Sequence, residues 1–185
     1  DGLTGEAFAI DFDPVADRLR VISDAGQNLR VNVDTGATIT DAPSGMGSAR
    51  LAAASYSNAF AAACRTQLYV IDPTTRTLFL QDPPNEGALS ALAVVPAPAG
   101  APAAIAFEIV MDEEGRGGAL VAWPSAQGAD LFDLDVRSGA VSNGRRLRLS
   151  QGEAVLALSA RAPAVPPRQA RGELLGVTAS NQLVS

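Results

Sequence analysis

Apolar side chains recur at every second position through the opening part of the chain. In Phe8-Ala9-Ile10-Asp11-Phe12, the residues Phe8, Ile10 and Phe12 share one side of an extended backbone, and Leu19 and Val21 do the same in residues 18–23. A spacing of two belongs to a half-buried strand rather than to a helix. Asp13-Pro14-Val15-Ala16-Asp17 joins the two runs and carries turn residues, so the pair predicts a hairpin.

The same pattern returns further along. Residues 28–36, 68–76 and 131–139 each offer a large apolar residue (Leu29, Tyr69, Phe132), an aliphatic two positions on (Val31, Ile71, Leu134), then Asn or Asp (Asn32, Asp72, Asp135). Thr or Ser follows three later (Thr35, Thr75, Ser138). The Asx side chain caps a turn, and Gly36 and Gly139 accept a positive φ there. Short apolar strands follow at 37–40, 77–81 and 140–142, and further strands precede, as at 105–110 and 119–123 around the acidic turn 112–118. The pattern begins once more at 154–158, resumes at 173–178, and ends at 181–184.

Four antiparallel strands per roughly 40 residues is the signature of a propeller blade. The sequence therefore predicts an all-β, β-propeller-like fold in a single domain, 1–185. About four four-stranded units are expected, at 6–42, 51–87, 88–148 and 152–185, the last incomplete, with a Pro-rich linker at 162–171. Residues 51–64 are alanine-rich and helical by propensity. Their place in the repeat makes them two strands turning at Ser57-Asn58.

Composition narrows the chemistry. The 185 residues contain neither histidine nor lysine, which removes His-based triads, His metal sites, Schiff-base lysines and the P-loop lysine. The one cysteine, Cys64, excludes an intrachain disulfide and reads as a buried small hydrophobe. No apolar run reaches the ~18 residues of a membrane span, and Asp1 predicts a processed or trimmed N-terminus. The net charge of −6 argues against nucleic acid. Residues 1–136 carry −11 and residues 137–185 carry +5. The basic end holds Arg145, Arg146 and Arg148, then Arg161, Arg168 and Arg171. Either the two halves neutralise each other as neighbours, or Arg145, Arg146, Arg148, Arg168 and Arg171 dock on an acidic partner or on anionic headgroups.

Arg20 and Arg30 alternate with aliphatics. One reading makes them part of a cross-strand Arg–Asp lattice with Asp11, Asp13, Asp17, Asp24 and Asp34. The other lets Arg20, Arg30 and Asn28 converge to hold an anion or a partner's carboxylate. Asp11, Asp13 and Asp17 are hard oxygen ligands, but the glycine and terminal Glu of an EF-hand are missing, so neither metal nor cofactor is assigned. No residue is assigned a catalytic role.

Residues 8–32, with Leu68-Tyr69-Val70-Ile71-Asp72 and Gln81-Asp82-Pro83-Pro84-Asn85-Glu86-Gly87, strongly resemble the DUF4394 family. The resemblance implies an exported bacterial protein with propeller-like repeats, an extracytoplasmic location and no assigned activity, and it brings no catalytic residues to carry over. The order departs from the family pattern: the segment 174–184, similar to the family's usual opening, lies last. The function expected is a non-catalytic module that binds a protein partner, such as an accessory subunit of an extracytoplasmic or membrane-associated complex. The alternatives are a carbohydrate-active hydrolase or lyase with paired carboxylates, and a structural spacer built on the Pro-rich segments 96–102 and 163–167.

Overall fold

Side chains that alternate in character build sheets here, and the sheets follow one another along the chain. The computed structural model describes residues 2–47, 49–60, 63–111, 117–126, 128–150, 153, 155–160, 174–178 and 183–184. The first sheet comprises β1 (Phe8–Asp13), β2 (Arg18–Ser23), β3 (Asn28–Val31) and β4 (Thr38–Thr40). The second comprises β5 (Ala53–Tyr56), β6 (Leu68–Asp72), β7 (Thr77–Gln81) and β8 (Leu89–Val94). The third comprises β9 (Ala106–Met111), β10 (Gly117–Ser125), β11 (Gly128–Leu134) and β12 (Val141–Arg148). The fourth has three strands, β13 (Val155–Ala160), β14 (Leu174–Thr178) and β15 (Leu183–Val184). All neighbours pair antiparallel and in chain order. The all-β class is as expected.

One turn recurs at the reversals. Asn32 Oδ1 accepts from Asp34 and Thr35, Asp72 Oδ1 from Thr74 and Thr75, and Asp135 Oδ1 from Arg137 and Ser138. Asp13 does the same for Val15 and Ala16. Four residues after each Asx the backbone is left-handed, at Asp17, Gly36, Arg76 and Gly139. The turn joins first to second strand at Asp13, second to third at Asp72, and third to fourth at Asn32 and Asp135. It marks a reversal and not a fixed place in the repeat, because an Asx side chain satisfies turn amides wherever a hairpin bends.

That corrects the expected unit boundaries. Leu89–Val94 is the fourth strand of the second sheet, which therefore runs past residue 87, and the third begins at Ala106. Residues 53–56 form a strand and not a helix. The chain does bend at Ser57-Asn58, where Asn58 is left-handed at φ 55°, but no second strand follows among the described residues before Leu68. Cys64 lies in the connection that leads to Leu68, outside any strand, and is exposed, contrary to its expected burial.

The alternation lets each sheet use both faces. Ala9 and Ile22 of the first sheet pack with Ala54, Tyr56, Leu68 and Val70 of the second. Ala53, Ile71 and Leu78 point the other way, onto Phe107, Ile109, Val121 and Trp123 of the third. Ala106, Leu120, Ala122 and Leu131 on the far face of the third meet Val155 and Leu158. Each large buried side chain contributes about 1.5–3 kcal/mol, so these three layers hold the stack together. The first strands lie side by side, β1 against β5, β5 against β9, and β9 against β13. They wrap a hollow of only about 30 Å³, lined largely by Ala9, Ala53, Ala54, Ala106 and Ala157 with Phe8, Ile10 and Leu156. No contact of similar extent joins β13 to β1 among the described residues.

Candidate functional site

The arginines of the signature strand do converge. Arg20 and Arg30 sit directly opposite each other on β2 and β3, a like-charge pairing that costs stability unless something neutralises it. Asp41, just past β4, does so. Its Oδ2 accepts from Arg20 Nη1 and from Arg30 Nε, each at 2.7 Å, and its Oδ1 accepts from Arg30 Nη2 at 2.8 Å. Arg20 is 1% exposed and makes further bonds to Asn28 Oδ1 (2.8 Å), Asn85 Oδ1 (2.7 Å) and the Tyr56 hydroxyl (3.0 Å). Asn28 Nδ2 in turn donates to the carbonyls of Ala42 and Pro84.

This node ties the first sheet to the second. Burial works against the charge on Asp41, but the bonds from Arg30 and Arg20 outweigh it and hold its carboxyl below the usual range. Burial pushes the Tyr56 hydroxyl up to about 12, against the pull of Arg20, so it stays protonated. The carboxylate that Arg20, Asn28 and Arg30 gather around therefore belongs to this chain. The cross-strand lattice takes a different form from the expected one. Asp11 faces Arg20 in register, yet its carboxylate reaches across to the Tyr56 amide of the second sheet.

Asp11 begins a second constellation near the hollow. Burial raises its pKa, opposed by bonds from the Tyr56 and Phe12 amides. Glu108 on β9 is 5% exposed, and burial, followed by the charge of Asp11, raises its pKa further still. Burial thus favours the protonated form of both carboxyls, more strongly at Glu108. Glu108 is bonded by the Ala160 amide, and Ser55 Oγ accepts from the Ile109 amide at 2.9 Å. Asp13 is committed to its own turn, so the three acids Asp11, Asp13 and Asp17 do not form a ligand set; no metal-holding acidic group occurs among the described residues.

The basic cluster lies on the outer strand of the third sheet. Arg146 pairs with Asp130 at 2.8 Å and Arg145 with Asp133 at 3.2 Å, while Arg148 has no ion pair among the described residues. A bulge where Asn143 and Gly144 face Phe132 shifts the register of β11 on β12. Gly144 is required there, because a Cβ would sit 2.6 Å from the Phe132 ring. The outcome is an open cleft of about 540 Å³, with Phe132 and Pro98 as apolar walls and Arg145, Arg146, Arg148 and Asp130 around them. Phe132 also meets Trp123 edge to face at 5.7 Å. Arg168 and Arg171 lie outside the described residues. A second hollow, about 470 Å³, is walled by Phe79, Leu89, Asp72, Thr75 and Thr77 on the second sheet and carries no cationic side chain.

The acceptors that complete the Arg20 node, namely Asp41, Tyr56 and Asn85, escape sequence reasoning because they lie far along the chain. The inner-strand set could have been found. Ala9-Ile10-Asp11-Phe12, Ala53-Ala54-Ser55-Tyr56 and Ala106-Phe107-Glu108-Ile109 share an alanine followed two positions later by a side-chain acceptor.

Stacked four-stranded antiparallel sheets, the first two tied by a buried ionic node, define an all-β scaffold. The chain belongs to the DUF4394 family, described as a domain of unknown function, whose family model matches residues 1–159. Comparison with curated proteins and with solved structures returns no match.

Proposed function

We propose that this chain is a non-catalytic, propeller-like module that binds a protein partner through the arginine-rimmed cleft on β12. It acts outside the cytoplasm as an accessory subunit of a larger assembly, including assemblies at a membrane surface. The observation that carries the reading is the cleft itself: three arginines line it around a half-buried aromatic wall on the third sheet. Arginine forks suit carboxylates, and an apolar wall beside them suits a peptide rather than a bare ion. Arg20, Asn28 and Arg30 then serve the scaffold, since their hydrogen bonds end inside the chain.

Among the described residues, Asp11 and Glu108 are the buried carboxyls that interact electrostatically, as paired-carboxylate hydrolysis would need. Neither carboxyl lines the small hollow of about 30 Å³ between the inner strands, whose walls are apolar. Both carboxyls also hold backbone amides of the next sheet. That favours binding over carbohydrate chemistry.

Trp123 reports on the cleft through Phe132. Titration with an octaglutamate peptide is expected to give a saturable change in Trp123 emission that weakens as salt rises. Arg148→Glu combined with Arg145→Glu should abolish it. The reading fails if the peptide produces no saturable change, or if the double variant binds as the parent does.

A further inference from the structure

The outer edge of the third sheet carries a charge that the sheet itself leaves unmatched. β12 closes the order β12-β11-β10-β9, so on its side away from β11 alternate N–H and C=O groups have no ladder partner among the described residues. It has eight residues, against three in β4 and six in β8, the outer strands of the first two sheets. Residues 142–146 and Arg148 are exposed.

The inner neighbour β11 already matches part of this strand. It sets Asp130 opposite Arg146, and the two pair at 2.8 Å. Arg145 reaches Asp133 at 3.2 Å. Arg148 lies opposite Gly128, which has no side chain to offer. Gly128 cannot be replaced by an acid, because at φ +131° a Cβ there would sit 2.0 Å from the Leu147 carbonyl. Arg146 and Arg148, two positions apart, share one face of the strand. Leu147 between them turns the other way, onto the layer that holds Leu131 and Leu158. The free edge therefore presents cation, apolar residue and cation in succession.

We propose that the partner enters as an extended acidic segment that adds a fifth strand to the third sheet along β12. Alternate carboxylates of that segment sit beside Arg146 and Arg148, the apolar residue between them sits beside Leu147, and the two backbones close a ladder. The inference rests on the arginine cleft as the partner site and names what it takes: an acid–apolar–acid run in β conformation. Charge decides the occupant. A second copy's β12, laid antiparallel about Arg146, would set arginine against arginine, which opposes pairing. Residues 161–172 of the chain carry Arg161, Arg168 and Arg171 and no acid, so they do not match the edge either.

The probes are two capped, fluorescently labelled peptides of equal composition, Thr-Glu-Val-Glu-Val-Glu-Thr and Thr-Val-Glu-Glu-Glu-Val-Thr, titrated with the full chain and read by anisotropy. The alternating peptide is expected to bind roughly tenfold tighter, the scale that two cross-strand charge pairs supply. Arg148→Gln, at an exposed position, should remove most of that preference. Backbone N-methylation of the alternating peptide at its valines or at its glutamates should block binding in one phase and spare it in the other, because only alternate amides face the neighbouring strand. Alternate β12 amides that exchange quickly in the free chain should slow when the peptide is bound. Equal affinities for the two isomers, or N-methylation that acts alike in both phases, overturns strand addition while leaving the cleft as a site for acidic partners. Binding of octaglutamate without binding of either peptide does the same. Failure of octaglutamate as well removes the cleft reading on which the proposal rests. If every β12 amide exchanges slowly in the free chain, the edge is already covered and the proposal falls.

Discussion

Arg20→Met removes a guanidinium from a site that is 1% exposed while keeping most of the apolar stem. The change leaves three acceptors without their donor: the Tyr56 hydroxyl, Asn28 Oδ1 and Asn85 Oδ1. Asp41 keeps its two bonds from Arg30, at 2.7 and 2.8 Å, so its charge is not stranded. Breaking one side of a buried ion pair costs about 3–5 kcal/mol, and the surviving Arg30 places this case near 3. That is a large share of the roughly 5–15 kcal/mol that holds a domain folded. The assay is urea unfolding followed in parallel by Trp123 emission and far-ultraviolet circular dichroism, with Arg50→Met as the control. Arg50 pairs with Asp24 at the same 2.7 Å but is 64% exposed, so its loss is expected to cost at most about 1 kcal/mol. If Arg20→Met costs no more than Arg50→Met, the node does not lock the first sheet to the second.

Two further outcomes follow from the structure. Glu108 is raised from 4.5 to about 9 and Asp11 from 3.8 to about 6, so the folded chain keeps protons that the unfolded chain releases. Their contribution is fully present below the ordinary carboxyl values and is lost as pH climbs through about 6 and then about 9. Urea midpoints should therefore fall between pH 6 and 9, and Glu108→Gln should flatten that fall; a midpoint that rises over this range contradicts the assignment. Gly128→Ala places a Cβ 2.0 Å from the Leu147 carbonyl at φ +131°, whereas Gly36→Ala at φ +72° meets nothing within 4 Å. The first should cost several kcal/mol and the second about 1, as conformational strain alone requires; equal melting shifts would refute the close packing of β11 on β12.

Much of this fold is legible in local pattern. The period of two places Ile22 and Ala9 on one face and Val21 and Ile10 on the other, and Asn32, Asp72 and Asp135 announce their turns, because strands and Asx turns are short-range objects. Sheet membership is less legible. One turn chemistry serves three different strand junctions, so aligning the turns shifted the second unit against the others and left Leu89–Val94 outside it. Cys64 reads as core from its small apolar run, but it is exposed, although the adjacent Ala63 is buried.

The site divides in the same way. That Arg20, Asn28 and Arg30 converge is written in alternation on adjacent strands; that they converge on Asp41 and reach Asn85 depends on how the second sheet stacks. The inner-strand acceptors stayed hidden because Asp, Ser and Glu share a role without sharing a residue type.

The central claim is that neighbouring sheets are clasped by side chains that bond the outward amides of the inner edge strands. Hydrogen exchange at single-residue resolution tests it most directly. The account predicts slow exchange at Tyr56, Ile109 and Ala160, and selective loss of protection at Ile109 in Ser55→Ala. Exchange at these three amides as fast as at an exposed sheet edge would contradict it.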